Sequence, residues 1–229
     1  TRAIRSDDVD TLQRILSNQK IDNIEKFNIP YNIFDDYIDN GETNYLNYSA
    51  VYGSIKCFKY LILNHHQIDE LTFKYSIYGG NIEIIKIVDQ YWQSKKSSPF
   101  KACRYESLLK ISVARHQNDI FDWLMNQKHF LKYIDKFTLD LIMNTSIKNA
   151  NVHSIRTLIK RGYNLSDNFN ENVTLAAANG LYKVIELLCI YCPRKKLALL
   201  VKKIEIAEDL YYSYIPALFV ENLSIFKLY

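Results

Sequence analysis

The chain has 229 residues, of which 48% are hydrophobic and 24% charged, so it can bury a sizeable core and wholesale disorder is excluded. Its 29 basic and 25 acidic residues leave a net charge of +4, too balanced to imply nucleic-acid binding on that ground. No run of 18 or more apolar residues occurs, which leaves no candidate membrane span.

Six glycines and four prolines suit a mostly helical chain with few tight turns. Taken in order, the helical patterns fall into imperfect copies of one unit. A first stripe is Val9, Leu12 and Ile15; an irregular stretch over 20–45, containing Pro30, follows it. Ser49 and Ala50 open the next copy as small residues, Gly53 breaks it, and Ile55, Phe58 and Leu61 form its second stripe. Asp69 or Glu70 is placed to cap a helix over Thr72–Tyr78, because a negative group near free N–H groups is favourable. Gly79-Gly80-Asn81 breaks that helix, since Gly and Asn accept a left-handed backbone cheaply. Ile82, Ile84, Ile85, Ile87 and Val88 then give a broad apolar stripe, followed by a loop insertion over 93–105.

Later copies repeat the grammar. Ser112 precedes a break at His116 and the stripe Ile120, Phe121 and Leu124. Ser146 precedes Ala150 and the stripe Val152, Ile155 and Leu158, after which Gly162 stands as a helix cap. Ala176 and Ala177 precede Gly180 and the run Leu181–Leu188, and a last copy covers Asn222–Tyr229. Anchored on the breaking residue, the copies sit at 7, 53, 80, 116, 150, 180 and 221, a mean spacing of about 36 residues. Recurrence at such a period predicts an all-α solenoid of six or seven stacked helix–turn–helix copies, since no copy can bury its stripe alone. The whole chain, 1–229, is expected to be one such unit. It opens Thr1-Arg2-Ala3-Ile4 without Met and stops inside a helical pattern, so it is expected to be a piece of a longer chain.

Candidate chemistry is sparse. Cys189-Ile190-Tyr191-Cys192 has thiol-exchange or zinc spacing, but no second pair completes a ligand set, and buried packing is expected. Cys57 occupies the slot of Ile84 and is expected to pack as well. The four cysteines in a chain of this length point to a reducing compartment, cytoplasm or nucleus, rather than a disulfide framework. His65-His66 fall in the turn slot that Gly162 fills, and no phosphate loop, metal motif or nucleophile signature is present. No cofactor, metal site or catalytic residue is expected. Lys95-Lys96 with Lys101 and Arg104, and Arg194-Lys195-Lys196 with Lys202-Lys203, are basic clusters that could dock an acidic surface or phosphate; solvated loops are the plainer account.

Leu175–Leu188 resembles the ankyrin-repeat pattern of Leu-Ala-Ala, two variable residues, Gly, His, then an acidic residue, two Val, a variable residue and two Leu, and Gly80–Val88 matches it again with Asn81 in the His position. Tyr75–Lys86 and His116–Leu124 are similar to a divergent ankyrin subfamily common in parasitic protists. The Thr-Pro-Leu-His signature is absent, replaced by Leu71-Thr72-Phe73-Lys74 and Glu171-Asn172-Val173-Thr174. The resemblance implies a non-catalytic protein–protein interaction scaffold that binds a partner along the concave face made by the first helices. The positions before each anchor would project there. Tyr52, Tyr78, Arg115, Lys148, Asn149 and Asn179 are the protein-binding candidates, with Tyr and Arg the types enriched in hot spots. A permanent structural component of a cytoskeletal or other large assembly is the alternative, and nucleic-acid association through the basic clusters a lesser one.

Overall fold

A computed structural model describes residues 2–18, 27–28, 42–94, 102–127 and 134–192. Among these the fold is all-α but for one short ladder, in which Phe27–Asn28 pairs antiparallel with Glu42–Thr43 inside the stretch expected to be irregular. Contacts divide the chain into two compact units, 1–120 and 121–229. The helices are α1 (Arg2–Arg5), α2 (Val9–Asn18), α3 (Tyr45–Val51), α4 (Ile55–Leu63), α5 (Glu70–Gly79), α6 (Ile82–Ser94), α7 (Ala102–Ala114) and α8 (Asn118–Asn126). The remainder are α9 (Lys136–Lys148), α10 (Val152–Lys160), α11 (Phe169–Ala178) and α12 (Tyr182–Tyr191). Of the insertion expected over 93–105, both ends are helical, because α6 runs to Ser94 and α7 begins at Ala102. The copy expected over Asn222–Tyr229, and both basic clusters apart from Arg104 at the start of α7, lie outside the described residues.

Each described anchor makes its turn the same way. Asp7, Gly53, Gly80, His116, Ala150 and Gly180 all have φ between 50° and 73°, the left-handed region that ends a helix sharply. In five of the six copies the anchor N–H bonds to the carbonyl three residues back, as in His116 to Val113 and Ala150 to Ile147. The following N–H bonds five back, as in Ser54 to Ser49, Gln117 to Ser112, Asn151 to Ser146 and Leu181 to Ala176. Gly80 closes instead with one bond to Ser76. Among the described residues the remaining left-handed ones are His65 and Gly162, which share one slot after a second helix.

Three anchors carry a side chain where glycine would be unstrained. Ala150 is exposed and holds φ at 50°. Ala150→Gly is expected to stabilise the protein by about 0.5–1 kcal/mol, the relieved strain exceeding the added unfolded-chain entropy. Chemical denaturation of both proteins measures it.

The small residues explain how first helices pack. Ser49, Ser76, Ser112, Ser146 and Ala176 are all fully buried at one register. Each serine hydroxyl donates to its own helix, to Leu46, Phe73, Leu109 and Ile142 carbonyls at 2.7–2.8 Å, so a polar atom is buried without an orphaned bond. In the first unit, first helices pack on first helices (α1 on α3, α3 on α5, α5 on α7), and second helices likewise (α2 on α4, α4 on α6). In the second unit α9 packs on α10 and α11, and α11 on α12. The stripes supply the core: Phe58, Leu61, Ile84, Val88, Phe121, Leu124, Ile155 and Leu158 are fully buried. Ile82 and Ile15 differ from expectation, being 55% and 39% exposed. Ile82 is the first residue of α6, and Ile15 lies on α2.

Candidate functional site

The turns that end the first helices bring the variable positions of successive copies together. In the first unit the position two before one anchor meets the position one before the next. Arg5 thus lies over the Tyr52 ring at 5.0 Å, and Arg115 lies over the Tyr78 ring at 4.6 Å, with cation and ring exchanged between the two diagonals. Arg5 also covers Tyr48, donating from Nε to its hydroxyl at 2.6 Å, and the Tyr48 and Tyr52 rings sit 4.8 Å apart. Lys74, one turn before Tyr78, stands 5.9 Å from the Tyr75 ring. Guanidinium and ammonium groups are attracted to the negative faces of such rings, which fixes long side chains at little entropic cost.

The turns carry bonds between copies that hold this row in register. Asn81 Nδ2 donates to the Gly53 carbonyl at 2.8 Å while its Oδ1 caps α6 through Glu83 and Ile84 N–H. Gln117 Nε2 donates to the Tyr78 carbonyl at 3.1 Å, and Ser54 Oγ to the Ile4 carbonyl at 2.5 Å. Asp7 accepts from the Lys56 and Cys57 N–H groups at the start of α4. At the other end of the first helices Asn47, Thr72 and Asp69 form a network. Asp69 caps α5 by accepting from Thr72 N–H at 2.7 Å, and Thr72 Oγ1 donates to Asn47 Oδ1 at 2.6 Å. Asn44 and Asp135 cap α3 and α9 in the same way, an Asx residue standing three before an Asn or Thr in each.

Comparison with family models, with curated proteins and with solved structures finds no significant match.

The six sequence candidates divide by environment. Tyr52 is half-buried at the end of α3, while Tyr78 is 9% exposed and lies beneath Arg115 instead of projecting freely. Arg115 is exposed and has no carboxylate partner among the described residues. In the second unit Lys148 is exposed at the end of α9. Asn149 and Asn179 turn their amides back to the Thr145 and Leu175 carbonyls at 2.9 and 2.7 Å, satisfying helix ends. Arg5 and Lys74 were not foreseen. Arg5 was legible, since it stands two residues before the Asp7 anchor; Lys74 needed the helix face.

Cys57, Cys189 and Cys192 are buried. Burial first, then the nearby Asp7, pushes the Cys57 thiol up to about 12, and burial followed by Cys192 pushes Cys189 up to about 12. A thiol so shifted holds almost no thiolate at neutral pH. Brief alkylation of native protein at pH 8 is therefore expected to spare Cys57 and Cys189, which peptide mapping resolves; labelling at the rate of an unfolded control would contradict it. His65 and His66 share the turn after α4, and no group of three or more His, Cys, Asp or Glu among the described residues could hold a metal ion. No helix among the described residues is long and apolar enough to cross a membrane.

Proposed function

We propose that the chain is an ankyrin-like solenoid acting as a non-catalytic scaffold, binding a partner protein along the side where its first helices end. The observation that carries the reading is the diagonal of cation–ring pairs, Arg5 with Tyr52 and Tyr78 with Arg115, joining successive copies on one face. Support for the repeat architecture comes from the six left-handed anchors and from first helices stacking on first helices within each unit. Tyr and Arg held rigid before contact lose little side-chain freedom on binding, which is what makes them effective anchors. Arg5, Tyr52 and Arg115 are its accessible members; Tyr78 positions Arg115. Cytoplasmic or nuclear residence fits the unpaired, buried thiols of Cys57 and Cys189.

Affinity capture from native extract with wild type and with Tyr52→Ala/Arg115→Ala tests the proposal. One or more stoichiometric partners held by wild type should weaken on the double variant by about 30-fold, as for a hot-spot loss near 2 kcal/mol. Lys86→Ala, on the exposed face of α6, should leave them unchanged. Equal capture by wild type and the double variant would overturn the placement of the surface.

A further inference from the structure

Asn179-Gly180, the joint between α11 and α12, is one of two Asn-Gly pairs in the sequence, the other being Asn40-Gly41. In such a pair the glycine carries no Cβ, so its main-chain nitrogen can approach the asparagine Cγ without a steric barrier. Once deprotonated, that nitrogen attacks: an N–Cγ bond forms, the Cγ–Nδ2 bond breaks, and Nδ2 takes up a proton and leaves as ammonia. Water then opens the cyclic imide. Cleavage at Cγ gives aspartate, and cleavage at the main-chain carbonyl carbon gives isoaspartate. The reaction needs water, a free main-chain nitrogen and a free side-chain amide.

The folded turn supplies the water and withholds the other two. Asn179 and Gly180 are exposed, with Asn179 directly after the last residue of α11. Gly180 N–H donates to the Ala177 carbonyl at 2.9 Å, and Asn179 Nδ2 donates to the Leu175 carbonyl at 2.7 Å. Leu181 N–H donates to the Ala176 carbonyl at 2.9 Å and closes the turn around them. We propose that Asn179 is a site of spontaneous conversion to aspartate and isoaspartate, gated by opening of the last turn of α11. That opening breaks a few bonds at one helix end, where local opening is easier than unfolding of the chain. Conversion then prevents the turn from closing as before. It removes the donor to Leu175 and sets a carboxylate at the carbonyl end of a helix, where negative charge is unfavourable. As isoaspartate it also adds a methylene to the main chain within the spans closed by the Gly180–Ala177 and Leu181–Ala176 bonds. Asn149 is the internal comparison: it shares the register and bonds back to Thr145 at 2.9 Å, but Ala150 follows it with a Cβ in the way of attack.

The test incubates the full chain near neutral pH, folded and in guanidinium chloride, and follows the Asn179 and Asn149 peptides by mapping that separates Asn, Asp and isoaspartate. In denaturant Asn179 should convert and Asn149 should lag by about tenfold or more. In the folded chain Asn179 should convert at least about tenfold more slowly than in denaturant, as two engaged bonds require. Ala178→Gly, at an exposed position in the last turn of α11, loosens that helix end and should speed the folded reaction by about threefold or more relative to the same variant in denaturant. Lys86→Gly carries a like helix penalty on the exposed face of α6 and should leave the rate unchanged. Equal folded and denatured rates overturn the gate. Equal acceleration by the two glycine variants also overturns it, because the route is then unfolding of the whole chain. Absence of conversion at Asn179 in denaturant, or in folded Ala178→Gly, overturns the site itself.

Discussion

Gly79→Val is expected to destabilise the protein by about 3 kcal/mol or more, among the largest effects of any single substitution in the first unit. Gly79 is the last residue of α5, where that helix crosses the end of α3. A Cβ there would stand 2.1 Å from the Ala50 carbonyl oxygen and 2.8 Å from that of Val51. Both are backbone atoms of a packed helix, so relief requires α5 to move away from α3 and to open the buried seam through Ser49 and Ser76. Even Gly79→Ala meets the same two oxygens. Urea denaturation of Gly79→Ala and Gly79→Val measures the cost, and stability within about 0.5 kcal/mol of wild type for both would disprove the close crossing. Gly180→Ala is the informative contrast: no atom of the described residues beyond its own neighbours lies within 4 Å of the Cβ position, which leaves the strain of φ at 67°.

Asn47→Ala is expected to cost about 2–3 kcal/mol, the penalty for stranding buried polar partners. Asn47 is 2% exposed and Thr72 is fully buried. The Asn47 side chain accepts from Thr72 Oγ1 at 2.6 Å and donates to the Asp69 carboxylate at 3.3 Å, so one amide ties the start of α5 to α3. Thr72→Val keeps the volume and removes the hydroxyl. A double-mutant cycle between Asn47→Ala and Thr72→Val should return a coupling of about 1–2 kcal/mol. Coupling below about 0.5 kcal/mol would show the two side chains act separately.

Most of the fold was legible because its punctuation is local. A left-handed helix end needs only a tolerant residue, a preceding small-residue turn and a following apolar stripe, all within one copy. Hence the anchors were found even where Asp7, His116 and Ala150 replace glycine. The capping role of Asp69 and the burial of Cys57 followed from the same register. Contacts between copies were less legible, since they depend on the offset between neighbouring helices. The sequence places Gly79 in the helix break and at a variable surface position, whereas it ends α5 against α3, an approach visible only once both helices are placed. The candidate row shows the same divide. Tyr52, Tyr78 and Arg115 were picked one by one by residue type, but their pairing, and the part of Arg5, come from the diagonal between copies. Asn149 and Asn179 share the register of Tyr52 and Arg115 and yet bond to their own helices, because a short amide reaches the carbonyl four residues back.

The turns between paired helices have a practical corollary. Their closing bonds run from main chain to main chain, so Asp, Gly, His and Ala all serve at the anchor. At Asp7 the carboxylate adds bonds to the Lys56 and Cys57 N–H groups. An anchor closed by its backbone is a position where a reporter side chain can be installed without unmaking the hairpin.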